Sequence, residues 1–219
     1  MGYPASKPES NKPVDSKQER LIVEYLSKYL YTKAYPQHKI IEDREQQLQG
    51  VDVVVSTDCG DECHDIRAQV SKYYINRPLP NFSLELLLNR NNSEHVGWFL
   101  KPEMLTNVYV LVWVNKAKTN TYGYIDKADD IEELDVMFID KRDLKEFVNN
   151  TMYDEALYDT ARHMRTKGTK RLFLNEAMYI SYSDQLKEPA VYLVVQKYAL
   201  DKLAYQRFIV RKDSISVMT

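Results

Sequence analysis

Apolar positions along the chain follow two rhythms. Leu21, Ile22, Tyr25, Leu26, Tyr29 and Leu30 recur at helical spacing, which predicts a helix with one buried stripe. Ser16-Lys17-Gln18-Glu19 just ahead of it reads as a capping box, and Pro36 closes the segment, so the helix is expected over 17–34. Strand-like runs follow: "VDVVV" at 51–55, "DIRAQV" at 65–70, "FSLELLL" at 82–88, then "VGWFL", "VYVLVWV" at 108–114 and "TYGYID". Two later units, 134–148 and 190–206, switch partway from strand to helix spacing. Between them "MYDEALYDTARHMRTKGTKRLFL" reads as a helix ending in a basic loop. A helix, central strands and strand–helix pairs predict an α/β fold with a mixed β-sheet. No composition break divides 17–219, which is expected to be a single domain behind a mobile polar tail at 1–16.

Bulk composition narrows this picture in two places. With 30 basic and 32 acidic residues, whole-chain charge favours no class of partner, so any nucleic-acid surface must be local. The run at 108–114 falls far short of the roughly 20 residues of a membrane span, and the N-terminal stretch carries no apolar signal segment. Cys59 and Cys63 stand alone, four positions apart, which fits a reducing cytoplasm better than a secreted disulfide framework.

The chemistry-bearing stretch is 47–69. On its first strand Val51, Val53 and Val55 share one face and leave Asp52 on the other; on the second, Ile66 and Ala68 oppose Asp65, Arg67 and Gln69. A tight turn near 60–61 would pair Asp52 with Gln69. A looser tip over 56–63 would set Asp52 opposite Arg67 and diagonal to Asp65, within reach of a shared cation. Two carboxylates suit Mg²⁺ or Mn²⁺, which activates water in phosphodiester hydrolysis, and a fixed positive charge beside them helps orient the phosphate.

Gln47-x-x-Gly50-x-Asp52, with Asp65-x-Arg67 thirteen residues after Asp52 and a helix ahead of both, resembles the PD-(D/E)XK restriction-endonuclease-like superfamily over about residues 17–115. The resemblance implies a restriction-endonuclease-like mixed β-sheet flanked by helices, and a Mg²⁺-dependent nuclease acting on DNA or RNA. Asp52 and Asp65 would hold the metal, Arg67 stands where the family has lysine, and Arg67 with Gln69 would orient water and phosphate. Arginine stays charged and cannot act as a general base. Two readings therefore stand side by side: a nuclease that uses Arg67 electrostatically, or a catalytically inactive nuclease-fold protein that binds nucleic acid or a protein partner.

Other features have a plain reading next to a functional one. Arg162, His163, Arg165, Lys167, Lys170 and Arg171 cluster around Gly168, as a phosphate-gripping loop would or as a solvated surface would. Tyr73 and Tyr74 could stack on bases or pack against the sheet. Glu24 could be the first-helix acid that such nucleases often carry or a solvated residue paired with Lys28, and Glu85 could be a further acid lining the cleft or pair with a basic residue at the sheet edge. Cys59, Cys63 and His64 lack a second cluster and read as a flexible hairpin tip rather than a zinc site.

Overall fold

The computed structural model describes residues 12–90, 93–184 and 188–218. Helix α1 (Lys12–Leu26) passes through a π-helical turn, Ser27–Tyr31, into the short α2 (Thr32–Ala34). It already includes Ser16, which is therefore an internal residue and not a cap. Residues 1–11 of the expected tail lie outside the described residues. Ile22, Tyr25, Leu26 and Leu30 are fully buried, and Leu21 and Tyr29 pack beside them.

Next come β1 (His38–Ile40), α3 (Arg44–Leu48), β2 (Val53–Thr57) and β3 (Gly60–Gln69). They are followed by β4 (Asn81–Arg90), β5 (Ser93–Val96), β6 (Val108–Ala117) and β7 (Ile131–Asp140). Helices α4 (Lys141–Asn149) and α5 (Asp154–Lys167) lead to β8 (Arg171–Phe173), β9 (Met178–Ser183) and β10 (Ala190–Gln196). The chain closes with α6 (Lys197–Leu203), β11 (Gln206–Val210) and β12 (Ile215–Met218). Both period switches thus become strand–helix pairs, β7–α4 and β10–α6. By contrast, residues 97–100 form a turn after β5, and "TYGYID" is a loop.

The strands build two sheets, not one. A seven-stranded mixed sheet runs β1-β2-β3-β6-β7-β11-β12, in which only β3–β6 is parallel. A five-stranded antiparallel sheet runs β5-β4-β10-β9-β8. On β6, Val108, Val110, Val112 and Val114 face the core beneath α1, while Tyr109, Leu111 and Trp113 face a second core. That second core is shared with β4, β10, α4, α5 and α6. Burial on both faces explains why β6 is an unbroken apolar run instead of an alternating one. Among the described residues no helix is long and apolar enough to cross a membrane.

Candidate functional site

The site begins in the stretch that the sequence leaves as a charged loop. Asp43 caps α3 by accepting from the Gln46 amide at 2.9 Å, and Gln47 Nε2 ties the helix back by donating to the Ile41 carbonyl at 2.8 Å. Gly50 then turns the chain with φ +76°, a left-handed conformation that a side chain would strain. A Cβ there would also overlap Thr106 Oγ1 and the Met104 side chain and lie 3.2 Å from Asp65 Oδ2. The spacing Gln-x-x-Gly-x-Asp thus has a local cause: a helix tie, a tight passage under Asp65, then the acid.

The hairpin is tighter than either expected register. Its tip is only Asp58-Cys59, and Val53 pairs with His64 and Thr57 with Gly60. The Asp52 amide donates to the His64 carbonyl at 2.9 Å, so Asp52 adjoins the last ladder pair, Val53–His64, instead of standing opposite Arg67. Asp52 Oδ2 accepts the Ile66 amide at 2.8 Å, taking a place that a backbone carbonyl would normally fill. His64 turns to the α1 side, where Nδ1 lies 3.0 Å from the Tyr31 hydroxyl.

Asp65 is 1% exposed, and Arg67 on the same strand face reaches back to it. Arg67 Nη2 donates to Oδ2 at 3.0 Å, while Nε lies 2.9 Å from Oδ1 as an ion-pair contact without hydrogen-bond alignment. The guanidinium rests on the Trp98 ring at 4.8 Å, and Trp98 packs against Tyr109 at 5.3 Å. Trp98 gets there because residues 97–100 turn tightly over β4: the Gly97 amide donates to Leu86 at 2.8 Å, and any Cβ at Gly97 would strike the Glu85 carbonyl. Tyr109 pairs with Asp65 in the parallel register, and its buried hydroxyl has no hydrogen-bond partner among the described residues.

Charge in this cluster is unevenly matched. Burial, then Asp65 and more weakly Glu19, push the Asp52 carboxyl up to about 7, against the opposing pull of Arg67 and the Ile66 amide. Burial alone would lower the Arg67 pKa, but Asp65, Glu19 and Asp52 outweigh it and hold the guanidinium charged. Burial and then Asp65 raise Tyr109. Glu19, Asp52, Arg67 and Glu85 all line one cleft of about 1390 Å³ between α1, the β2–β3 region and the five-stranded sheet. Arg20, Lys28, Arg44, Arg90 and Lys101 add positive charge to the same lining.

No family model matches this chain, and no curated protein or solved structure matches it either. The site therefore has to be read from its own geometry.

Of the residues singled out in the sequence, Asp52, Asp65 and Arg67 come together. Gln69 shares their strand face but serves the fold: Nε2 donates to the Asn81 carbonyl at 2.5 Å and Oε1 accepts the Leu79 amide at 3.0 Å. The basic residues 162–171 are not in the cleft lining. Arg162 and Arg165 pair with Glu94, Lys170 pairs with Asp184, and Arg171 stacks on Tyr179 at 4.6 Å. Lys28 pairs with Asp129 at 3.2 Å, not with Glu24, although Glu24 does border the cleft. Glu85, for which a cleft-lining and a sheet-edge role both stood open, lines it. Three members had no separate signal. Glu19 looked like half of a capping box, Trp98 looked like part of a strand, and Tyr109 was one aromatic among seventeen tyrosines and other rings.

A divalent cation suits this donor set. Mg²⁺ commonly takes one or two protein carboxylates and completes its shell with water and phosphate oxygens. Among the described residues no group of three or more His, Cys, Asp and Glu side chains stands ready to hold a metal; Asp52 and Asp65 are the two acids this cluster offers. The rise at Asp52 comes first from burial and then from the neighbouring Asp65, against the pull of Arg67.

Proposed function

We propose that this protein is a metal-dependent nuclease of PD-(D/E)XK type, cleaving phosphodiester bonds of DNA or RNA in the cleft beside Asp52. The observation that carries the reading is that Asp52 and Arg67, which line a cleft of about 1390 Å³, meet the buried Asp65 behind its wall. That volume exceeds the roughly 300–1,000 Å³ of ordinary small-molecule pockets and suits a segment of polymer. Asp52 and Asp65 would hold Mg²⁺ or Mn²⁺, with Glu19 close enough to add to the field. A bound cation supplies charge neutralisation at the phosphate and a more acidic water. Arg67 acts electrostatically, its guanidinium charge bordering the cleft where a phosphate would lie. Glu19 borders the same cleft and can order water there.

A second reading has its own observation. Arg67 already sits on Asp65, so the protein could be a catalytically inactive relative that binds nucleic acid without a cation. Cleavage of plasmid and single-stranded DNA and RNA with Mg²⁺ or Mn²⁺ separates the two. The nuclease reading expects cutting by wild type and loss of about 10²–10⁴-fold in Asp52→Asn and Asp65→Asn, the scale of a lost catalytic group. No cutting by any version, or cutting that survives both substitutions, would overturn it.

A further inference from the structure

Beyond the acids, a pair of turns on the loops that leave β3 and β6 holds two tyrosines in solvent. Tyr73 is 71% exposed and Tyr122 is 76% exposed. Neither turn is slack. In the first, the Tyr74 amide donates to Ser71 at 2.8 Å and the Arg77 amide to Tyr74 at 3.1 Å. Asn76 is held at φ +65°, and its side chain pairs both ways with Ala117, accepting the amide at 2.6 Å and donating to the carbonyl at 3.0 Å. A non-glycine residue kept in that region implies surroundings that over-determine it.

In the second turn the Asn120 carboxamide accepts the amides of Tyr122 at 2.9 Å and Tyr124 at 3.2 Å, and the Asn120 carbonyl accepts the Gly123 amide at 2.9 Å. Gly123, at φ +84°, lets the two turns meet: a Cβ there would lie 3.2 Å from Lys72 Cβ. The residues beside this junction are therefore Tyr73 on one side and Tyr122 on the other. Lys72 Nζ stands 5.3 Å from the Tyr73 ring centre, and Arg77 is exposed in the same turn.

The turns also adjoin the cleft. The chain just past the second turn is tied to the helix that walls the cleft: Gln18 donates to the Ile125 carbonyl and accepts the Ile125 amide, both at 2.9 Å, and its neighbours Glu19 and Arg20 line the cleft. Lys72 follows Arg67 by five residues, at most about 18 Å of chain, so a strand crossing Arg67 reaches the tyrosines within a few nucleotides. Rigid, exposed aromatic faces with cations beside them suit unpaired bases, since every base offers a π-face and every linkage a charge. A duplex hides those faces.

We infer that Tyr73 and Tyr122, with Lys72 and Arg77, form a stacking platform for single-stranded nucleic acid leading into the cleft. This rests on the nucleic-acid part of the function proposed above and not on catalysis. The test is fluorescence anisotropy of a labelled DNA single strand of about 20 nucleotides and of the matching duplex, in EDTA, at fixed salt. Tyr73→Ala and Tyr122→Ala should each weaken single-strand binding about tenfold and leave duplex binding within about twofold, while Tyr→Phe at either position restores it. Unchanged melting temperatures would show that the fold is intact. Unaltered single-strand affinity in both alanine variants, equal loss on the duplex, or no single-strand binding by wild type would overturn the platform. Loss of affinity in a protein that never cuts would leave the platform standing and remove only the nuclease reading.

Discussion

Two buried aspartates of the seven-stranded sheet are each held by an arginine, and they end in opposite states. Asp135 on β7 is 2% exposed and receives a two-point fork from Arg207, Nε to Oδ1 at 2.9 Å and Nη2 to Oδ2 at 2.7 Å. Lys197 adds a third donor at 2.7 Å, and Arg207 also reaches Asp201 at 2.8 Å. Burial pushes Asp135 up, but the hydrogen bonds and charges of its two cations outweigh it and leave the carboxyl below its ordinary range. Asp65 has one cation, a skewed contact and a second acid nearby. The first cluster is closed and ties β10–α6 and β11 to β7. The second sets two acids against one arginine, with a cleft beside it. Burying an arginine–aspartate pair makes structure when the charges balance, and makes a candidate site when they do not.

The comparison can be broken most forcefully at Asp135. Asp135→Ala strands two largely buried cations, so a denaturant titration should record a loss of about 3–5 kcal/mol. Asp65→Ala should cost less, about 1–3 kcal/mol, because Asp52 gives up its proton more easily once Asp65 is gone and takes over part of the pairing with Arg67. Equal losses at the two positions would mean that both clusters are simply structural.

The pH dependence should carry opposite signs. Asp52 has a raised folded pKa, so its contribution is fully present below the unfolded value and is lost as pH rises through the folded one. In metal-free protein that decline falls between about pH 4 and pH 7, and Asp52→Asn should flatten it. Asp135 has a depressed pKa, so its contribution is present above the unfolded value near 3.8 and is lost as pH falls below it. Thermal melts of wild type and the two asparagine variants across this range would show whether the slopes separate.

Smaller effects sharpen the contrast. Arg67→Met frees both Asp65 oxygens and should tighten Mn²⁺ binding about tenfold, or 1.4 kcal/mol, in calorimetry. Weaker binding in that variant would show that Arg67 supports the cation site and does not compete with it. The least effect is expected from neutralising Lys167, Lys170 and Arg171 together. Lys170 already pairs with Asp184 and Arg171 stacks on Tyr179, so nucleic-acid affinity should change less than about twofold, with little change in salt slope. A slope lower by one or more would place the backbone contact on that loop.

What the sequence made legible follows from the range of the interactions involved. The stripe on α1 and the period switches at β7–α4 and β10–α6 are local patterns, and each falls where it was expected. The face shared by Asp65 and Arg67 needed only strand alternation. The hairpin tip misled because residues 58–64 are mostly polar, yet β3 starts at Gly60 as an exposed ladder needing no apolar face. Thr57 Oγ1 donating to the Gly60 carbonyl at 2.7 Å helps close it. The division into two sheets was hidden, because strands 81–90 and 190–196 pair across about half the chain. Trp98, Glu19 and Tyr109 reach the acids by the same kind of long-range placement, and Asp135 looked like an ordinary break in an apolar strand.

The central claim is that Asp52 and Asp65 form a cation site while Asp135 does not. Isothermal titration of Mn²⁺ into wild type, Asp52→Asn and Asp135→Asn tests it most directly. Wild type should bind one ion, Asp52→Asn should lose that binding, and Asp135→Asn, if still folded by circular dichroism, should keep it. Absence of binding in wild type, or binding that persists unchanged in Asp52→Asn, would contradict the account.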